Sequence, residues 1–152
     1  MGPVVETLRA LVVEANGQSC AIPLPDVVET LRPLKTEGVA GLPAFVLGYS
    51  RIRGNVVPVI DLGLLLGSGR LAQPRRFVTL HVGTRWVALA ADAAERIVLL
   101  EKKAMGALPP LLQGEGAVTS IGSSDAELLV VLNASRLVPP AFWEHFESAS
   151  PL

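Results

Sequence analysis

The chain has one cysteine, Cys20, and two histidines, His81 and His145, in 152 residues. A lone thiol cannot close an internal disulfide. The histidines lie far apart, with no Cys or His partner at ligand spacing, which argues against a metal site. Excess charge is also missing: 13 basic and 14 acidic residues leave a net charge of −1. No field therefore draws the chain to nucleic acid or anionic lipid. The longest apolar run, Val56 to Leu66, is cut by Pro58, Asp61 and Gly63, far short of the ~20 residues a membrane helix needs. The N-terminus carries no basic region followed by an apolar core, and Glu6 stands where a myristoylation signal requires Ser or Thr. These absences predict a cytoplasmic location without direct membrane insertion.

Apolar sequence is what the chain has in quantity. Half of the residues are hydrophobic and mean hydropathy is +0.47, which excludes disorder over most of the length. This length suits a single domain, or two small subdomains sharing a core. Most segments alternate at period two. Leu11 and Val13 alternate with Val12 and Glu14, Asn16-Gly17 supplies a hairpin turn, and Ser19 to Ile22 returns. A third strand is predicted at Val27 to Leu31, then a loop at Lys35 to Gly41 and one helical turn at Pro43-Ala44-Phe45.

The segment Gly48-Tyr49-Ser50-Arg51-Ile52-Arg53-Gly54-Asn55-Val56-Val57-Pro58-Val59-Ile60-Asp61-Leu62 is the most informative. It reads as a strand, a tight Gly54-Asn55 turn, a return strand, and an Asp capping a short helix that Gly67 ends. Pro58 suits a strand only at an edge or a bulge.

The second half repeats the order of the first. Arg9 to Val13 resembles Arg76 to Leu80 (76 minus 9 is 67), and Gly17, Ala21 and Glu29 find Gly83, Ala88 and Glu95 at offsets of 66 or 67. Val57 to Leu62 resembles Leu129 to Ala134, with Asp61 matched by Asn133 (133 minus 61 is 72). This predicts a single domain of two related β subdomains, at about 9–66 and about 76–137, joined by a hinge at 67–75. Short strands of this kind close into small barrels. Residues 102–116, rich in Gly and Pro, are predicted as the least ordered connection. A C-terminal helix at about 139–148 carries Phe142, Trp143 and Phe146 on one face, either as a lid over a barrel end or as a docking helix.

A catalytic site needs a nucleophile, a base and an orienting group, or a metal. Cys20 lies in an apolar strand without a nearby histidine, and His81 should point outward. Asp61 and Asp92 are single acids, explained by capping and by the end of a strand. Gly63 to Gly69 lacks the Gly-Lys-Ser/Thr of a phosphate loop. Nothing here calls for a catalytic residue, a metal or a cofactor. Arg51 and Arg53 read as a pair on one side of a strand, either keeping an edge solvated or serving an interface.

The pattern Gly48-x-x-x-Ile52-Arg53-Gly54-x-Val56-Val57-Pro58-Val59-Ile60-Asp61-Leu62 resembles the signature of the CheW-like domain family of bacterial chemotaxis coupling proteins. Ala21-Ile22-Pro23-Leu24, Val27-Val28-Glu29 and Leu42-Pro43-Ala44-Phe45-Val46-x-Gly48 follow the family's order, and the likeness spans Leu8 to about Leu137. The resemblance implies a mostly β fold of two pseudo-duplicated five-stranded SH3-like barrels with a groove between them. It implies a non-enzymatic adaptor without cofactors, joining the regulatory domain of a CheA-type histidine kinase to the cytoplasmic tip of chemoreceptors. By position Val27, Glu29 and Arg53, with Arg51 beside it, belong to the receptor side. Gly48, Gly54, Pro58, Asp61 and Leu62 are the structural motif. The kinase is expected at one barrel end, mainly through the second subdomain.

Two departures stand out: Arg51-Ile52 replaces the family's usual Asn-Leu, and Ala90-Ala91-Asp92-Ala93-Ala94 is small throughout. They are consistent with a divergent coupling subunit, one serving a pilus or gliding system included. A small hydrolase or ligand-binding β protein is a third reading, and it lacks a nucleophile, base or metal cluster.

Overall fold

The computed structural model describes residues 7–102, 118–124, 127–138 and 140–149. Nearly all of the connection expected at 102–116 lies outside them. Among the described residues ten strands form two sheets. The first five are β1 (Thr7–Ala15), β2 (Gln18–Pro23), β3 (Val27–Leu31), β4 (Val46–Ile52) and β5 (Asn55–Asp61). They are followed by helix α1 (Leu62–Leu66) and then β6 (Arg76–Val82), β7 (Arg85–Ala91), β8 (Ala93–Lys102), β9 (Val118–Ser124) and β10 (Glu127–Leu132). Helix α2 (Pro140–Ala149) ends the described chain. Pro43 to Phe45 is a turn closed by Val46 N–H donating to Pro43 O at 2.9 Å, not a helical turn.

The sheets do not follow the two halves of the sequence. A closed barrel runs in the order β1-β2-β10-β9-β8, and a five-stranded sheet in the order β3-β6-β7-β5-β4. Each sheet takes the leading hairpin of one half and the last three strands of the other. The exchange is made by two parallel ladders, β5 on β7 and β10 on β2. Their registers reproduce the sequence repeat: Val59 pairs with Ala88, and Val131 with Ala21, where 131 minus 59 is 72 and 88 minus 21 is 67.

Residues 67–75 are consequently not a hinge between sheets. They belong to the crossover that brings the chain from β5 to a strand parallel to it, and parallel neighbours always need such a connection. The chain changes sheet at the 3-10 turn Leu24–Asp26 and at Asp92.

Burial explains the exchange. In β1, Ala10 and Val12 fill the barrel, while Leu11, Val13 and Ala15 pack into the larger cluster shared with the other sheet. Both faces of this strand are buried, so Ala10-Leu11-Val12-Val13 is continuously apolar instead of alternating. Ala88, Ala90 and Ala91 are fully buried in the same shared core. The small residues of 88–91 thus let two sheets approach closely; they are interior packing, not a contact surface.

Three polar side chains fasten the crossover. Asp61, only 1 % exposed, accepts from Leu64 N–H, capping α1, and from Leu71 N–H, both at 3.1 Å. Asn16 Nδ2 donates to Ser68 O at 3.2 Å and Gly69 O at 2.8 Å. The Asn16 N–H donates to Asp92 Oδ2 at 2.8 Å, and the Asp92 N–H to Glu14 O at 2.8 Å. The β1–β2 turn, the crossover and the point where the chain changes sheet are one hydrogen-bonded assembly.

Gly48 is fixed by space. Its φ is +143°, and a Cβ there would stand 1.9 Å from Glu37 O, where the loop before β4 bridges to Tyr49. Leu62 is wholly buried at the start of α1. Pro58 lies in a strand with a neighbour on each side, but at a point where β5 is still unpaired toward β7, so its position is locally the edge expected of it. Tyr49, its cross-strand partner, turns its N–H and C=O to Glu37, so the pair exchanges no bonds and the Pro58 nitrogen faces β7. The β5–β7 ladder starts only at Val59, so Pro58 removes no ladder bond.

Asp61→Ala is expected to lower the unfolding free energy by about 2–4 kcal/mol, through a lost cap and a stranded buried N–H. Asp61→Asn keeps one acceptor oxygen and should cost roughly half as much. Urea unfolding midpoints with unchanged slopes check both values.

Candidate protein-interaction surface

The turn joining β4 and β5 lies one residue earlier than the sequence suggests. Ile52 pairs with Asn55, leaving Arg53 and Gly54 as the two central residues, with φ of +50° and +79°. Positive φ at both positions is the type I′ geometry whose twist matches the flanking strands. The β1–β2 turn has the same geometry with Asn16 at +50° and Gly17 at +79°. Asn tolerates the left-handed region; Arg normally pays a steric cost of roughly 1–2 kcal/mol there. Asn55 Nδ2 supports the turn by donating to Arg53 O at 3.3 Å.

That backbone sends the Arg53 side chain across the sheet instead of along β4. Its Nε donates to Glu29 Oε1 at 2.6 Å and its Nη2 to Glu29 Oε2 at 2.8 Å, a two-point fork on the carboxylate. β3 and β4 are the two ends of the five-stranded order, so this pair spans the opening between the sheet's edges. In the barrel the equivalent strands β8 and β9 meet through backbone pairing at Glu101 with Ser123 and Lys102 with Gly122. A side-chain bridge stands where the other sheet has a ladder.

The backbone under Glu29 is held by Thr79, buried on β6, whose Oγ1 donates to Glu29 O at 3.2 Å. Hydrogen bonding to Arg53, aided by its charge, holds the Glu29 carboxyl below the usual carboxylate range. The same contact raises Arg53 above its ordinary value. Both remain charged near neutrality. The Arg53 side chain is 68 % exposed and that of Glu29 25 % exposed, so a partner can reach the pair. Val27 sits two residues before Glu29 on the same edge strand, half-buried and packed against the shared core.

The structure pairs Glu29 with Arg53 across the two ends of the sheet, places Val27 on the same strand as Glu29, and leaves Arg51 out of the pair. Arg51 lines a pocket of about 550 Å³ with Asn55, Val56, Thr84, Trp86 and Trp143 among its walls. The sequence expectation of two arginines on one side of a strand fails because Arg53 is in the turn.

The pocket and a second feature were not predicted. Ile97 and Leu99 on β8 are 59 % and 60 % exposed. Their signal in the sequence is the apolar run 97–100, in which alternate residues must face outward. The pocket had only the aromatic face of the C-terminal helix as a trace. On that helix Phe142 and Phe146 are buried and Trp143 is half-buried, with the Arg85 guanidinium 4.8 Å from the Trp143 ring centroid.

Burial pushes the Cys20 thiol up to about 12, so it stays protonated and inert at neutral pH. His81 points outward as expected. Among the described residues no three His, Cys, Asp or Glu side chains gather as a metal-binding group.

A double-mutant cycle on Glu29→Gln and Arg53→Asn measures the pair. Because the folded-state value of Glu29 is depressed, its contribution is complete above the ordinary carboxylate range and is lost as pH falls through the depressed value. Favourable coupling at pH 7 that fades on acidification and in high salt is expected; coupling independent of pH would contradict the ion-pair account.

Comparison with known proteins agrees with this architecture. Residues 9–141 match the model of the CheW-like domain. "Chemotaxis protein CheW" of Helicobacter pylori is 23 % identical over 140 residues, covering 90 % of this chain and 85 % of its own. Protein FrzA of Myxococcus xanthus is 29 % identical over 126 residues, covering 79 % and 78 %. In fold, the crystal structure of the scaffolding protein TtCheW from Thermoanaerobacter tengcongensis superposes with a TM-score of 0.74 at 17 % identity, over 84 % of this chain and 90 % of that one. With the family model matching most of its length, this chain belongs to the CheW-like domain family.

Proposed function

We propose that this chain is a non-catalytic adaptor of a bacterial chemosensory system, holding the cytoplasmic tip of a chemoreceptor beside the regulatory domain of a CheA-type histidine kinase. The observation that carries the reading is the exposed Glu29–Arg53 pair on the edges of the five-stranded sheet, with Val27 beside it. An ion pair flanked by half-buried apolar residues suits a helical hairpin presenting an apolar stripe bordered by charge. Arginine is a residue type enriched among binding hot spots. No helix among the described residues is long and apolar enough to cross a membrane, and the adaptor acts in the cytoplasm, recruited to receptors by binding. Its effect on the kinase comes from fixing geometry and raising local concentration.

The kinase contact is assigned to a different part of the molecule from the receptor edge, so the two bindings separate by mutation. Arg53→Asn keeps a residue suited to the left-handed turn, as Asn16 is in the equivalent turn, while removing the guanidinium. Binding of a receptor cytoplasmic fragment should weaken by about tenfold or more in Arg53→Asn and further in Arg53→Glu. Binding of the kinase regulatory domain should be unchanged, with circular dichroism confirming the fold. Kinase binding without receptor binding by the wild type would favour a divergent subunit serving another regulator. Binding to neither would overturn the adaptor reading for these partners.

A further inference from the structure

The β5–β7 ladder begins at Val59 and Ala88, immediately after Pro58. Ahead of that point the strands part. Asn55, Val56 and Val57 on one side and Thr84, Arg85 and Trp86 on the other line the pocket of about 550 Å³, which Trp143 and Phe146 of α2 complete. Pro58 stands where the strands part and has no N–H to offer β7.

The register also orients the backbone along this gap. Tyr49–Pro58 exchanges no bonds, so by alternation Ser50–Val57 is the bonded pair and Arg51–Val56 is again unbonded. Val56 therefore turns its N–H and C=O away from β4, toward the gap. A donor and an acceptor in strand geometry stand at the pocket wall.

Its chemistry is one-sided. Trp86 and Trp143 are the chain's two tryptophans, and both line it. Arg85 lies over Trp143. Arg51 is exposed at the rim and makes no ion pair among the described residues. The described lining holds no carboxylate, and Arg51 is the guanidinium it offers to a partner's acid, on a protein whose net charge is −1. Tryptophan and arginine are the side chains most enriched at hot spots of protein interfaces.

We propose that this gap is a binding site for an extended acidic segment of a protein partner. A large apolar side chain enters between Trp86 and Trp143, a neighbouring Asp or Glu meets Arg51, and the segment's backbone pairs with Val56 as a strand added to β5. The site is distinct from the Glu29–Arg53 pair and does not depend on what that pair binds.

The test screens the full-length chain against a displayed pool of random-sequence peptides, then synthesises the enriched sequences. Because both tryptophans line the site, their emission reports occupancy directly. Enrichment of Asp or Glu next to an aromatic or leucine side chain is expected, with a saturable emission shift on titration. Arg51→Glu should weaken that binding by about tenfold or more, while Arg53→Glu leaves it unchanged. Lys in place of the peptide's acid should abolish it. No enriched pool, an enriched pool without acids, or an affinity indifferent to Arg51→Glu would each overturn the proposal. Arg51 is exposed, and the unfolding midpoint of the variant shows that any loss is not one of fold.

Discussion

Two short parallel ladders govern this molecule: Val59 to Asp61 against Ala88 to Ala90, and Val130–Val131 against Cys20–Ala21. They place the leading hairpin of each half of the chain in the other half's sheet. Once that exchange is made, neither sheet can separate without losing two of its own strands. The shared core follows, because β1 and β2 must then bury one face in the barrel and the other against the second sheet. A pair of independent small barrels would have a thin interior each. Here one continuous cluster runs from Leu11 and Ile22 through Val59 and Leu80 to Phe142. The Asn16, Asp61 and Asp92 hydrogen bonds make the crossover rigid at the place where an unexchanged fold would have a flexible linker.

The duplication is not symmetric in how its sheets close, and the difference locates the candidate surface. In the barrel, β8 and β9 pair through their backbones. In the other sheet, β3 and β4 form no ladder among the described residues, and the Arg53–Glu29 side-chain pair joins them. A backbone ladder has no free specificity; an exposed side-chain fork does. Arg53 is held for this in a left-handed turn that favours Asn or Gly, and unfavourable backbone geometry maintained by its surroundings is a feature of functional positions. The local cost at the turn is offset by a two-point, charge-assisted contact, so the conformation and the ion pair support each other.

Much of this was legible in the sequence, at the level of local elements. Asn16-Gly17, the strand Val27–Leu31, the Asp61 cap and the Gly67 stop are each read from residues that permit few alternatives. The hairpin exchange was not legible, for a reason inherent in duplication. A repeat of five strands gives the same offsets of 67 and 72 whether a hairpin folds onto its own half or onto the other. The one local clue is Ala10-Leu11-Val12-Val13, whose lack of alternation requires burial on both faces. The turn was misplaced by one residue because Arg is rarely the first central residue of a type I′ turn. The Glu29–Arg53 pair joins positions 24 residues apart across an opening that exists only in the assembled sheet. The pocket needs two hairpin tips and the C-terminal helix together.

That single misplaced residue decides how the central hairpin works. Had the turn been Gly54-Asn55, Arg51 and Arg53 would lie two apart on one strand and share a face, forming a single basic patch. With Arg53 inside the turn, strand alternation governs Arg51 alone. One guanidinium crosses to Glu29 on the far edge of the sheet, and the other stays at the rim of the gap between β5 and β7 that begins at Pro58. Seven consecutive residues, Arg51 to Val57, thereby carry positions on two separate surfaces. The chain gains two separate candidate contacts in this way. Its backbone register assigns neighbouring residues to different contacts, and the exchanged core keeps those contacts at a fixed distance from one another.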